Sequence, residues 1–121
     1  MKILVTKHFD FCYGHFLPEY DGKCALHHGH NAALRVTVSN DGHHPDYPGM
    51  VLDFSKLKKI VQPLVNQLDH HFLNEILMET PTAENIATWF FDNISKELPF
   101  GVVLEKVAVS ETPDSWAEVV R

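Results

Sequence analysis

The chain has 121 residues, of which 45% are apolar and 21% charged, with a formal net charge of −6. That length supports one domain with a single modest core, and the composition excludes a disordered or fibrous chain. The acidic balance argues against a non-specific nucleic-acid binder but leaves room for a small anionic substrate in a local basic pocket.

The opening stretch MKILVTKHFDF alternates and is interrupted by Lys2, Lys7, His8 and Asp10, so it reads as neither a secretory signal nor a membrane span. A cytoplasmic protein is expected, with no nucleic-acid or membrane partner and with Cys12 and Cys24 as free thiols. Ile3, Val5, Phe9 and Phe11 share one parity, as do Ala32, Leu34, Val36 and Val38, and two half-buried antiparallel strands follow from that period of two. The turn formers of DGHHPDYPG make His43 and His44 surface residues. After VLDF the period changes: Leu57, Ile60, Val61, Leu64, Val65 and Leu68 recur at three and four. This predicts an amphipathic helix capped by Asp53 or Ser55, with Pro63 on its polar side. A second helix is expected to start near Pro81 under a Thr80 or Thr82 cap, turning Ile86, Trp89, Phe90 and Ile94 inward. Val103, Val107 and Val109 predict a third strand, and the segment from Glu111 to Arg121 a last one. The order describes an α+β domain with helices on one face of an antiparallel sheet.

Nine histidines are present, and they cluster. In KCALHHGHN, His28 and His30 continue the parity of Ala32 and Leu34, so a strand extended backward projects both imidazoles from one face. Phe11, Tyr13 and His15 share a parity on the first strand, and an antiparallel partner brings His15 opposite that pair. Three neutral imidazoles suit zinc and leave a position open for water or substrate, as catalytic sites do. The plainer alternative is a pair of strand histidines facing outward. Cys24 taken alone reads as a small buried hydrophobe; beside Lys23 and a cation, it reads as a thiolate. Cys12, between Phe11 and Tyr13, reads as packing. In QLDHHFLN, which reads as the end of the first helix, Asp69 next to His70 and His71 is either an acid-base pair or a helix terminus interacting with its dipole.

Taken together, FCYGHFLP, KCALHHGHN, GMVLDF, LDHHFLN, PTAEN and SET, in this order from about Phe11 to Thr112, resemble the 6-pyruvoyltetrahydropterin synthase family. The interval between Cys24 and His28, filled by Ala25, Leu26 and His27, resembles the 6-carboxytetrahydropterin branch rather than the animal pyruvoyl enzymes, where it is longer. The resemblance implies zinc held by His15, His28 and His30. It implies Cys24 as catalytic cysteine, Asp69 and His70 as its acid-base pair, and Glu111 as the carboxylate that anchors the pterin. Lys23 is expected to supply positive field for a triphosphate, and Thr112 to border the pterin. The implied fold is the tunnelling fold: a four-stranded antiparallel sheet with two helices on one face, closing with neighbouring subunits into a β-barrel and stacking as a hexamer of two trimers.

The implied reaction converts 7,8-dihydroneopterin triphosphate to 6-carboxytetrahydropterin, acetaldehyde and triphosphate, a step of queuosine and 7-deazapurine biosynthesis. A pyruvoyl-forming or side-chain-cleaving pterin enzyme would share every ligand. A non-catalytic metal-binding module would account for the histidines but not for Cys24, Asp69 and Glu111 together. The chain departs from the family pattern at Tyr13 and Gly14, where two small residues are usual, and in PDSWAEVV after SET.

Overall fold

The alternation that begins both early strands continues well past their apolar cores. In the computed structural model, which describes residues 1–19 and 28–121, β1 is Val5–His15 and β2 is His28–Asn40. They pair antiparallel in a register that sets Phe9 opposite Leu34, Tyr13 opposite His30 and His15 opposite His28. The histidines thus end the same period-two stripe that buries Phe9, Phe11, Leu34 and Val36. Lys23, Cys24 and His27 lie outside the described residues.

Helix α1 is Phe54–Leu68, and the Asp53 carboxylate caps it by accepting from the Ser55 N–H. Leu57, Val61, Val65 and Leu68 form its buried stripe, and Pro63 lies inside the helix on the exposed side, so the hydrogen bond a proline removes falls toward water. Helix α2, Ala83–Ser95, starts at Thr82, whose side chain accepts from the Asn85 N–H. It buries Ile86, Ala87, Phe90 and Ile94, with Trp89 half-buried beside them. The last strands are β4, Val102–Thr112, and β5, Ser115–Val120. Both helices and the inward face of the sheet share one core. Among the described residues no helix is long and apolar enough to cross a membrane.

The sheet has five strands rather than the expected four, in the order β3 (His71–Phe72)-β1-β2-β4-β5. The additional strand β3, His71–Phe72, runs parallel to β1 beside Tyr13 and Gly14. It falls within the segment expected to finish the first helix: α1 stops at Leu68, Asp69 is its extended C-cap, and His70 takes φ of 59°. A left-handed residue there turns the chain onto the sheet edge. A bulge against β2 shifts the register of β4, which pairs Val38 with Leu104 but Thr37 with Lys106. The unpaired Glu105 is held by Ser39 Oγ at 2.7 Å and Lys2 Nζ at 2.6 Å.

Candidate metal centre and active site

The end of the inward stripe brings three imidazoles together. His15 Nε2 lies 2.9 Å from His28 Nε2 and 2.9 Å from His30 Nε2, and the three residues form a group able to hold a metal ion. His15 is fully buried, and its Nδ1 donates to the Pro81 carbonyl at 2.7 Å. That bond selects the tautomer in which Nε2 carries a lone pair instead of a proton, as a metal ligand requires. One lone pair cannot accept from two N–H groups along the same direction, so hydrogen bonding alone accounts poorly for two nitrogens this close. Three convergent imidazole nitrogens are a donor set that fits a metal ion. Burial, with repulsion from His15 and His28, lowers the His30 pKa against the opposing pull of Glu111, which favours the neutral, ligating ring.

The LDHHFLN segment clamps β1 next to this group. Asp69 Oδ1 accepts from the Cys12 N–H at 2.8 Å, and the His70 N–H donates to the Cys12 carbonyl at 2.6 Å. After β3, the Asn74 side chain accepts from the Phe16 N–H at 2.9 Å and donates to the Phe16 carbonyl at 3.0 Å. The strand is therefore tied on both sides of His15. Asp69 Oδ1 also lies 3.0 Å from His70 Nδ1, which makes the two an oriented carboxylate-imidazole pair. The Cys12 N–H first, and then His70, hold the Asp69 carboxyl below its ordinary range.

Cys12 proves not to be a packing residue. It is half-buried on the opposite parity from Tyr13, its thiol donates to Asn31 Oδ1 at 3.0 Å, and it stands within 4.8 Å of Asp69 and His70 ligand atoms. The two clusters occupy opposite parities of β1, with the histidine group inward and Cys12 outward.

Glu111 continues the inward parity of Val107 and Val109. Its Oε1 stands 3.8 Å from His15 Nε2. A second bulge, between Ser110 and Thr112, leaves Glu111 without a partner across from it on β5, which frees its carboxylate from the regular ladder. The same residue lines a cavity of about 570 Å³ with Leu17, Thr82, Ala83 and Trp116. Thr112 is exposed at the end of β4, opposite Ser115. His43 and His44 are exposed, as their turn-rich segment predicts.

The structure therefore brings His15, His28, His30 and Glu111 to one place and joins Asp69 to His70 at the edge of β1. Two contributors are not visible in the sequence pattern, the Pro81 carbonyl and the Asn74 clamp, whereas the Tyr13 ring beside His15 follows from the parity that Phe11, Tyr13 and His15 share. PTAEN and LDHHFLN signal a cap and a histidine pair, but neither motif announces which strand it will grip.

Residues 4–121 match the family model described as 6-pyruvoyl tetrahydropterin synthase. The chain is 42% identical over 118 residues to a 6-carboxy-5,6,7,8-tetrahydropterin synthase of Synechocystis, covering 94% of this chain and 90% of the relative. It is 41% identical over 92 residues to a dihydroneopterin monophosphate aldolase of Pyrococcus furiosus, covering 76% of each. The solved structure of Caenorhabditis elegans 6-pyruvoyl tetrahydropterin synthase superimposes with a TM-score of 0.85 at 26% identity, covering 100% of this chain and 96% of that one.

Proposed function

The chain belongs to the 6-pyruvoyl tetrahydropterin synthase family, and on that premise we propose that it is a zinc-dependent 6-carboxytetrahydropterin synthase of queuosine and 7-deazapurine biosynthesis in the cytoplasm. The observation that carries this reading is the convergence of His15, His28 and His30 at 2.9 Å, with the Glu111 carboxylate 3.8 Å from the central nitrogen. Three imidazoles with a carboxylate at the open side describe a substrate site better than a closed structural one. The Synechocystis relative, similar over nearly the whole chain, supports the carboxy product.

The substrate is 7,8-dihydroneopterin triphosphate, and with one water it yields 6-carboxytetrahydropterin, acetaldehyde and triphosphate. When bound, zinc supplies Lewis-acid stabilisation of negative charge on the side-chain hydroxyl oxygens. Glu111 accepts hydrogen bonds from the pterin 2-amino and ring N–H groups, which orients the ring and discriminates against rings without those donors. Thr112 borders the same end, and Lys23 contributes positive field for the triphosphate. Cys24 moves a proton at the side chain, and His70, oriented by Asp69, takes or returns one on the other side.

The split of β1 between an inward histidine group and an outward Asp69–His70 pair favours an active site completed between subunits. We therefore assign the chain to a hexamer of two trimers, whose barrel closure would cover the β3 and β5 edges.

A second reading comes from the Pyrococcus furiosus relative. A dihydroneopterin phosphate aldolase would use the same ligands but break the side-chain carbon–carbon bond to leave a hydroxymethylpterin. Incubating the zinc-loaded protein in parallel with 7,8-dihydroneopterin triphosphate and with the monophosphate, and identifying the products by mass spectrometry, decides between them. Carboxytetrahydropterin with acetaldehyde is expected; a pyruvoyl or hydroxymethyl pterin as the product would replace the reading, and no turnover would sink it.

A further inference from the structure

Tyr13 carries the buried side-chain oxygen of this molecule that finds no hydrogen-bond partner among the described residues. The residue is 3% exposed. Its ring stacks on Phe11 at 5.5 Å between centroids, meets His15 edge-on at 5.1 Å and lies tilted against His30 at 5.5 Å. Phe90 meets the Phe11 ring edge-on at 5.7 Å, so the packing on that side of the Tyr13 ring is aromatic.

A buried hydroxyl left unpaired destabilises a fold in which phenylalanine would fill the same space without that cost. The hydroxyl is therefore unexplained as packing, but its neighbours are the groups of the metal centre. A phenol offers an O–H donor at neutral pH. Glu111 Oε1 stands 3.8 Å from His15 Nε2, on the ring that Tyr13 meets edge-on. The phenol ring, the carboxylate and the imidazoles thus adjoin one another.

We propose that Tyr13 is a positioning residue whose hydroxyl donates a hydrogen bond to the oxygen ligand occupying the open position of the three-histidine centre: water at rest, and a hydroxyl or oxyanion oxygen of the bound substrate. Only the identity of that substrate rests on the pterin reading above; the hydrogen bond itself requires no more than a metal and an oxygen donor. The ligand supplies the missing acceptor, so the phenol favours oxygen ligands that retain a free lone pair after coordination.

The test uses cobalt in place of zinc in the whole protein, with acetohydroxamate as the oxygen-donor probe followed by the visible cobalt bands. Tyr13→Phe is expected to keep the same cobalt content while weakening the probe about five- to tenfold, the worth of one hydrogen bond. In the metal-free state the same variant is expected to melt at a higher temperature than the parent, because the unpaired hydroxyl has gone. Opposite signs for the two measurements distinguish positioning from structural support. Equal probe affinity in parent and variant, loss of cobalt, or a metal-free variant that melts lower would each overturn the proposal. Absence of turnover with dihydroneopterin triphosphate, alongside the expected cobalt result, would count against the pterin reading alone.

Discussion

The His15 ring is held from behind by the Pro81 carbonyl, 2.7 Å from Nδ1, so the residue just ahead of α2 sets the orientation of the most buried imidazole in the three-histidine group. Helix packing and the arrangement of the three imidazoles are coupled through that bond. About one zinc per chain is expected by elemental analysis, following the three-ligand pattern. The His28→Ala and His30→Ala double variant should lose the metal yet stay folded, since both positions are only half-buried. His15→Ala should lose metal and also about 1–3 kcal/mol of stability by orphaning the Pro81 carbonyl. Zinc retained by the double variant would refute the assignment.

Glu111→Gln should keep zinc and weaken substrate roughly 10–100-fold in KM, because an acceptor-only carboxylate becomes an amide that presents a donor to the pterin N–H groups. Metal analysis and steady-state kinetics on one preparation check both halves. Unchanged KM would move the pterin anchor elsewhere.

For Asp69, pH gives the signature. Its folded pKa lies below the ordinary value of 3.8, held down first by the Cys12 N–H and then by His70. Its contribution to stability is therefore full above that ordinary value and is lost as pH falls through the lower folded value. Asp69→Asn should flatten this acid limb of the stability profile and reduce turnover about 100-fold through misorientation of His70. An unaltered acid limb in urea titrations at several pH values would contradict the tether.

Cys24→Ala should retain zinc and the native assembly but lose turnover, as the proposed role of the thiol in proton transfer requires. Zinc loss in that variant would make Cys24 a fourth ligand, and full activity would make it inert.

Asn74→Ala removes one acceptor and one donor from the Phe16 backbone. A loss of about 1–3 kcal/mol is expected, together with faster hydrogen exchange at the Phe16 amide. A change smaller than this in denaturant midpoint would mean that water replaces the clamp.

Much of this site can be read in the sequence because a strand has a period of two. His28 and His30 inherit the face of Ala32 and Leu34, and His15 inherits that of Phe11, so register alone brings the three together. The helices are equally plain, since their stripes span several turns and each begins at a side-chain cap. What stays hidden is either too short or too distant for periodicity. The two residues of β3 cannot establish a period, and they lie in a stretch whose histidines suggest a helix end. Asn74 and Phe16 are 58 positions apart, and nothing local in either foretells their pairing. Cys12 looks apolar by its neighbours Phe11 and Tyr13, yet parity sends it to the other side of the strand.

The bulge at Glu105 has a consequence for how this chain tolerates change in length. Leu104 and Glu111 are an odd number of residues apart, yet Leu104 faces the core and Glu111 faces the histidines from the same side of the sheet. On an unbroken strand an odd separation means opposite sides. The extra residue at Glu105 absorbs the difference. Removing Glu105 would leave a regular strand that still delivers Glu111 inward, at the expense of the Ser39 and Lys2 contacts. Removing any one residue between Val107 and Ser110 has no such refuge, and it would rotate the carboxylate away from the metal centre with every side chain of that centre intact. Single-residue deletions along β4 should therefore separate into a permissive position and a forbidden run, according to where the strand keeps its count.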